Sequence, residues 1–270
     1  MNPIQPFFVL NTEHYYKQVC SHPLISHFYR FRDDSGDAGE NITIPDGATD
    51  IVFDLYEAAP SVMICGTVTQ GRPGLFESGH EYFGVRLRPG ALSHVGCAGT
   101  DDLCGQVCHL ESGPARSLAG RLGAEPDFRR QIRLFMDEYP SLLEAGPDMD
   151  SHALLARAVI RCIDEARGCI TLSALEEQLC YSRRHLTRVF REYTGITIKE
   201  FCRFVRFQCA SRQLSRSSTI PIAQLALDCG YYDQAHFQKD FRDFTMSTPG
   251  ACQHAFARQG FASRLIVLPS

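Results

Sequence analysis

The pattern of apolar and polar residues divides the chain into a half of short strands followed by a half of helices. From about residue 23 to residue 95, short apolar runs are broken by Gly, Pro and Asp, including a Pro-Asp-Gly turn at residues 45–47. In "YFGVRLRP", Phe83, Val85 and Leu87 alternate with polar or small residues. Because this two-residue period is typical of a strand with one buried face, we predict a compact antiparallel sandwich or barrel here.

The apolar spacing becomes helical from Gly113 onward, with Leu118 and Leu122 followed by Ile132 and Phe135. The stretch "AGPDMDS", residues 145–151, is the predicted linker, because it is rich in turn-forming residues. The segments after it read as capped helices.

Capping boxes are predicted at Ser173 with Glu176 and at Thr197 with Glu200, because Ser or Thr followed three residues later by Glu satisfies two free backbone donors. The second box opens a helix that is predicted to run to about Leu214. This helix has an apolar stripe and separates two similar segments of the chain.

These two segments repeat each other at an offset of 51 residues. "YSRRHLTRVFREYT" starts at Tyr181 and "YDQAHFQKDFRDFT" starts at Tyr232, and five of the fourteen aligned pairs are identical. Ser182 and Asp233 are the predicted N-caps of the two helices. Each helix has an aromatic stripe opposite a polar stripe and follows a short helix and a turn, which predicts two helix-turn-helix units.

The polar stripes carry side chains suited to nucleic acid. Arg can bind guanine edges with two hydrogen bonds and Gln can do the same for adenine, while Lys and further Arg can meet phosphates. The candidate contacts are Arg183, Arg184, Thr187, Arg188 and Arg191 in the first helix, and Gln234, His236, Gln238, Lys239 and Arg242 in the second.

The net charge of −4 conceals an asymmetry between the halves. Residues 1–150 hold 11 Lys and Arg against 21 Asp and Glu, whereas residues 151–270 hold 16 against 10. The basic half suits a polyanionic partner, and the acidic half is expected to repel one. No apolar run approaches the roughly 20 residues that a membrane span needs, and the start lacks a signal-peptide pattern, so a cytoplasmic protein is expected.

Residues 170–253 resemble the C-terminal domain of AraC-type transcription regulators. The residues that carry the resemblance are Leu186, Arg188, Phe190, Arg206, Ala210, Leu225, Ala226, Gly230, Tyr231, Asp233, Phe237, Phe241 and Pro249. The resemblance implies two helix-turn-helix units joined by one helix, and sequence-specific binding of double-stranded DNA. RNA polymerase, a small-molecule effector and a second copy of the chain, giving a homodimer, are the further partners that we expect.

The expected fold class is a multidomain α+β protein. A β-rich, barrel-like regulatory domain spans residues 1–112, and a helical dimerisation or linker segment spans 113–148. The all-α DNA-binding domain spans 149–255, and a C-terminal tail spans 256–270. In the first part, "PDGATDIVF" and "VRLRPGA" resemble the β-rich sensor domain of one branch of these regulators.

Two residues depart from the family pattern. Glu176 stands where the family usually has a small Ala, and Met246 stands where Gly is common. A buried Glu is costly unless it is paired, so the first unit is expected to be weak or distorted.

The alternative interpretation is an enzyme fused to a DNA-binding domain, either a cupin-like metal enzyme or a cysteine-dependent DNA-repair protein. The chain has twelve cysteines but no CxxC, no His-x-His and no recognisable catalytic motif. The densest candidate metal group is Cys97, Cys104, Cys108 and His109. His80 and His94 are isolated and are expected to be structural. We therefore expect no catalytic residue, no metal and no cofactor.

Overall fold

The computed structural model describes residues 12–34, 41–91, 103–111, 113–142, 151–217, 219–258 and 264–269. Most of the predicted linker at 145–151 lies outside the described residues, and so do His94 and Cys97. The described chain forms an N-terminal sheet with two helices packed on it, followed by a helical part.

The sheet is formed by strands from both ends of the chain. The strands are β1 (Tyr15–Val19), β2 (Ile25–Arg32), β3 (Ile42–Thr43), β4 (Thr49–Asp54), β5 (Ser61–Cys65), β6 (Arg72–Pro73), β7 (Glu81–Leu87), β8 (Val107–His109) and β9 (Leu265–Leu268). Seven of them pair in the order β8-β5-β4-β7-β2-β1-β9, and β3 pairs with β6 separately. The pairing is antiparallel except between β1 and β9, which run parallel.

The two-residue period of the strands sends alternate side chains to opposite faces of the sheet. Phe53 and Phe83 face helices α1 (Gly113–Ala124) and α2 (Phe128–Leu142), and the ring of Phe53 lies 6.0 Å from that of Phe135. Val52 and Tyr82 face the other side, where they join a smaller aromatic cluster. The apolar faces of α1 and α2 are therefore buried against the sheet.

The helical part follows the predicted spacing. Its elements are α3 (Ser151–Glu165), α4 (Leu172–Leu179), α5 (Arg183–Thr194), α6 (Ile198–Arg216), α7 (Ile222–Asp228), α8 (Gln234–Thr245) and α9 (Pro249–Arg258). Phe201, Phe204 and Phe207 of α6 are fully buried, so this helix forms the centre of the helical core. The predicted capping box of Thr197 and Glu200 is present at its start.

The predicted α+β class, with a β-rich N-terminal part and a helical C-terminal part, is confirmed. Strands β1 and β9 were not predicted. Tyr15 pairs with Leu265 and Gln18 with Leu268, so the segment expected to be only a tail forms an edge of the sheet. In the described part of the chain, the helices are all too short or too polar to cross a bilayer.

Candidate nucleic-acid interface

Helices α4 and α5 form the first helix-turn-helix unit. Thr171 caps α4 by accepting a hydrogen bond from the backbone nitrogen of Ala174 at 3.1 Å, so the capping box predicted at Ser173 was wrong. The chain turns at Cys180, whose φ of 58° lies in the left-handed region. Ser182 then caps α5, as predicted, by accepting from the backbone nitrogen of His185 at 3.4 Å.

Glu176 does not distort this unit. Its Oε1 accepts a hydrogen bond from the backbone nitrogen of Arg183 at 2.6 Å, and its Oε2 lies 3.2 Å from Nη2 of the same residue. The carboxylate therefore satisfies a free donor at the N-terminus of α5, where a negative charge is favourable. The expectation of a costly buried Glu was wrong, because the side chain is paired and one-third exposed.

Helices α7 and α8 form the second unit in the same way. Asp233 caps α8, as predicted, by accepting from the backbone nitrogen of His236 at 2.7 Å. Gly230 in the turn has a φ of 76°, and a Cβ there would overlap the sulfur of Cys169. Met246 ends α8 with a φ of 57°, which explains why the family prefers Gly at this position.

The faces of α5 are oriented as the repeat predicts. Leu186, Val189 and Phe190 are fully buried. The opposite side presents candidate contact residues, of which Thr187 is half-buried and the others are exposed: Arg183, Arg184, Arg188 and Arg191. Arg188 also forms an exposed ion pair with Glu192 at 3.1 Å, one turn further along the helix.

Helix α8 presents the matching surface. Phe237, Phe241 and Phe244 are fully buried. The exposed candidates are Gln234, Lys239 and Arg242, and the half-buried ones are Gln238 and His236. The ring of His236 packs edge-on against Tyr231 at 5.3 Å, which restrains this side chain more than its neighbours.

Aromatic contacts fix α5 and α8, the two reading helices, to α6. The ring centroid of Phe190 lies 5.7 Å from that of Phe201, and the ring centroid of Phe241 lies 5.2 Å from that of Phe207. Arg203 of α6 adds an ion pair at 2.7 Å with Asp240, which is buried on the inner side of α8. The relative position of the two polar faces is therefore set by a packed core rather than by a loop.

Two exposed tyrosines were missed by the sequence reasoning. Tyr181 is 47% exposed and Tyr232 is 88% exposed, and each directly precedes the N-cap of a reading helix. A tyrosine offers a partner both an aromatic face and a hydroxyl group, so these two residues add to the candidate surface. The repeat contained the signal, because these residues form one of its identical pairs.

A sequence profile described as a helix-turn-helix domain matches residues 175–255, which covers the region from α4 to α9. The chain carries an AraC-type helix-turn-helix domain. The HTH-type transcriptional activator RhaR of Escherichia coli O139:H28 is 28% identical to it over 163 residues, or 60% of this chain and 56% of that protein. The same protein of Shigella flexneri gives the same identity and coverage. The chain thus spans little more than half the length of these curated relatives.

Ahead of the AraC-type domain, residues 22–109 match a domain of unknown function (DUF6597). Among solved structures, ToxT from Vibrio cholerae is 12% identical, with a TM-score of 0.48, over 84% of this chain and 97% of that one. The C-terminal domain of AraT, a response regulator from Geobacillus stearothermophilus, is 21% identical, with a TM-score of 0.36, over 39% of this chain and 88% of that one.

The β-rich part contacts the AraC-type domain directly. The amide of Gln208 on α6 donates to the backbone oxygen of Pro45 at 3.3 Å. A Cβ on Gly47 would lie 2.8 Å from the ring of Phe201. The backbone nitrogen of Gly71 donates to the oxygen of Asp243, near the end of α8, at 2.8 Å.

A cavity of about 420 Å³ lies between these two parts. Its lining includes Arg86 on β7, Arg88 just after β7, Arg157 and Ile160 from α3, and Phe201 from α6. It also includes the carboxylates of Asp46, Asp164 and Glu165. Burial, together with the nearby charge of Arg88, lowers the pKa of the Arg157 guanidinium. The cavity is therefore lined by apolar side chains together with guanidinium groups and carboxylates.

Arg86 links this cavity to the loop that contacts α6. Its buried guanidinium bonds to Asp46, within that loop, and to Asp50 on β4 at 2.7 Å. Burial raises the pKa of the Asp50 carboxyl to about 6, while the charge of Arg86 opposes that rise. A ligand that displaces the Arg86 side chain would therefore also move the loop at 45–48, through Asp46.

The alternative enzyme interpretation gains no support from the described residues. Within them, no group of three or more metal-binding side chains comes together, and Cys97 of the candidate group is outside them. His80 has a structural environment: its Nδ1 lies 2.8 Å from Asp54, and its ring stacks on Tyr56 at 4.2 Å.

Proposed function

We propose that the chain is a sequence-specific DNA-binding regulator of transcription that inserts α5 and α8 into the major groove. The supporting observation is the pair of helices with the same caps, the same buried aromatic side and the same exposed polar side, both packed on α6. A helix of this width fits the major groove, where each base pair presents a distinct pattern of donors and acceptors.

The exposed residues divide by their position along each helix. Arg184, Thr187 and Arg188 are the proposed base contacts of α5. Arg183, which Glu176 restrains at the N-terminus, is the proposed phosphate contact. The matching residues of α8 are Gln234, His236, Gln238 and Lys239. Arg191 and Arg242 near the C-terminal ends are proposed to contact phosphates.

The cavity between the two parts supports regulation by a small molecule. A ligand there would touch both the sheet and α3, so its binding energy would depend on how the two parts are arranged. A homodimer formed through residues 113–148 would use the outer faces of α1 and α2, because their apolar faces are buried against the sheet. RNA polymerase is the further partner expected of a regulator, and the cytoplasm is the proposed compartment.

Selection of duplexes from a random-sequence library by the purified full chain tests the proposal. We expect one enriched motif, which footprinting should place in two short blocks. The double variant Arg188→Ala, Lys239→Ala should lose the enrichment. The control Arg116→Ala, Arg133→Ala, which removes two exposed charges from α1 and α2, should retain it. No enrichment by the full chain would refute sequence-specific binding.

A further inference from the structure

Four cysteines of the helical part form a group in which Cys169 interacts electrostatically with the other three. Cys169 lies in the turn before α4, Cys202 and Cys209 lie on α6, and Cys229 ends α7. Cys169 is exposed, Cys209 is half-buried, and Cys202 and Cys229 are buried. A charge on Cys169 raises the pKa of each of the other three thiols, which places it within electrostatic range of them all.

The thiol of Cys169 lies against the turn of the second unit. Its sulfur is 3.8 Å from the backbone oxygen of Cys229. Gly230, the next residue, has no room for a side chain because a Cβ would overlap that sulfur. The sulfur of Cys229 accepts a hydrogen bond from the Nε2 amide of Gln213 at 3.3 Å. The Cys169 thiol therefore contacts the backbone of Cys229, whose own sulfur is held by Gln213.

The two thiols differ in their access to solvent. Burial raises the pKa of the Cys229 thiol to about 12, with the neighbouring Cys209 as the next cause, and it raises that of Cys202 to about 11. Buried thiols of this kind are protonated at neutral pH and react slowly with dissolved reagents. Cys169 is the exposed member of the group, so a dissolved oxidant reaches it first.

We propose that Cys169 is an oxidation site and that Cys229 converts the oxidised form into a disulfide. The thiolate of Cys169 attacks a peroxide, forming a sulfenic acid, and the displaced hydroxide leaves as water after taking a proton. The sulfur of Cys229 then attacks the sulfur of Cys169, and its proton leaves with the hydroxyl group as a second water. One peroxide is reduced and two thiols are oxidised.

The disulfide would change the second reading helix. A disulfide needs the two Cα atoms about 5.5–6 Å apart and the sulfurs about 2.05 Å apart. Because the sulfur of Cys229 accepts from the Gln213 amide, turning it toward Cys169 would break that hydrogen bond. The turn at Gly230 and the start of α8 follow directly, so the polar face of α8 shifts relative to that of α5.

The test treats the purified full chain with a small excess of hydrogen peroxide. Mass spectrometry of the alkylated digest should find a peptide pair joined through Cys169 and Cys229. A bridge from Cys169 to Cys202 or Cys209 would overturn the assignment of Cys229, and a Cys169 that stays reduced would overturn the site.

Duplex affinity gives the second measurement, and this part rests on the proposed function. Oxidation should weaken binding to the selected duplex by about tenfold or more, as expected when one unit loses its base contacts, and a reductant should restore it. Cys169→Ser and Cys229→Ala should bind the duplex with normal affinity, and peroxide should not weaken their binding. The control Cys180→Ser removes another exposed cysteine, and peroxide should weaken its binding as it does that of the unaltered chain. An equal response of Cys169→Ser would refute the site. If the reduced chain selects no duplex, the proposed DNA-binding function is refuted. The mass-spectrometric mapping then still tests whether Cys169 and Cys229 form a disulfide.

Discussion

Arg188 is exposed on α5 and can turn from its partner Glu192 toward a base. Arg188→Ala should weaken binding to the selected duplex by about 1–3 kcal/mol if the guanidinium grips a guanine, and weaken binding to random duplex much less. Titration of both duplexes by fluorescence anisotropy gives the two values. Glu192→Gln, which removes the competing carboxylate, should not weaken binding. Equal losses on both duplexes would make Arg188 a phosphate contact.

Lys17 is a buried cation on β1. Burial, with repulsion from Arg86 and Arg212, lowers the pKa of its ammonium from 10.5 to about 8. The charged form therefore opposes folding below pH 8, and this cost disappears as the pH rises through 8 toward the unfolded value of 10.5.

Lys17→Met should therefore raise the free energy of unfolding by about 1–3 kcal/mol at pH 7, and by less than about 1 kcal/mol at pH 10. Urea unfolding at the two pH values measures the difference. Lys199→Met, which changes an exposed lysine of α6, should alter stability little at either pH. A gain that is the same at both pH values would show that the ammonium is not the cause.

The role of a single side chain could be predicted from the sequence when its partner is a few residues away, and could not be predicted when its partner is distant along the chain. Ser182, Thr197 and Asp233 cap helices through backbone groups three residues away, so their roles follow from spacing alone. Asp240 looks like another exposed polar residue of α8, but it is buried because Arg203, on another helix, pairs with it.

Strand β9 joins the end of the chain to the sheet near its start. Its parallel pairing with β1 is accompanied by a hydrogen bond from Arg264 to the backbone oxygen of Thr12 at 3.4 Å. Removing residues 264–270 would expose the edge of β1 and the apolar surface that Leu265 and Leu268 cover.

This truncation should lower the free energy of unfolding by about 1–3 kcal/mol, because two partly buried leucines are lost. Urea unfolding followed by circular dichroism measures the change. The control Val267→Thr alters an outward-facing side chain and keeps the strand, so it should be nearly neutral. An unchanged midpoint in the truncated chain would mean that β9 contributes nothing to the sheet.

Elements differ in how far the sequence predicts them. The boundaries of α6 follow from its capping box and its apolar spacing, which are local. The pairing of β1 with β9 joins residues 250 positions apart, and no local pattern encodes a partner at that distance. The cavity between the two parts was not predicted for the same reason, since its lining comes from separate segments.

The whole molecule combines an acidic half and a basic half that are packed together. The buried helical core is built from residues 155–252 and Ile44, with Ile42 and Cys104 of the N-terminal half packed against it. Because nearly all of its buried members lie within residues 151–270, this fragment should fold alone. This fragment should select the same motif as the full chain and bind it at least as tightly at low salt, because the acidic half is removed. Selection with fragments 151–270 and 1–148 in parallel tests this, and specific binding by 1–148 would contradict it.

The arrangement of α5 and α8 on α6 predicts that one chain reads two successive stretches of major groove. Helix α6 has 19 residues and is therefore about 28 Å long, which together with the width of the reading helices suits the roughly 34 Å between groove entries on one face of DNA. The direct measurement is the affinity for the selected duplex after about five, and then about ten, base pairs are inserted between its two blocks.

Five added base pairs place the blocks on opposite faces, and ten restore the face but add about 34 Å of length. Since α6 is a packed helix, we predict that both insertions reduce binding to nearly the non-specific level. Full affinity after either insertion would show that the two units are not held rigidly, or that only one of them reads bases.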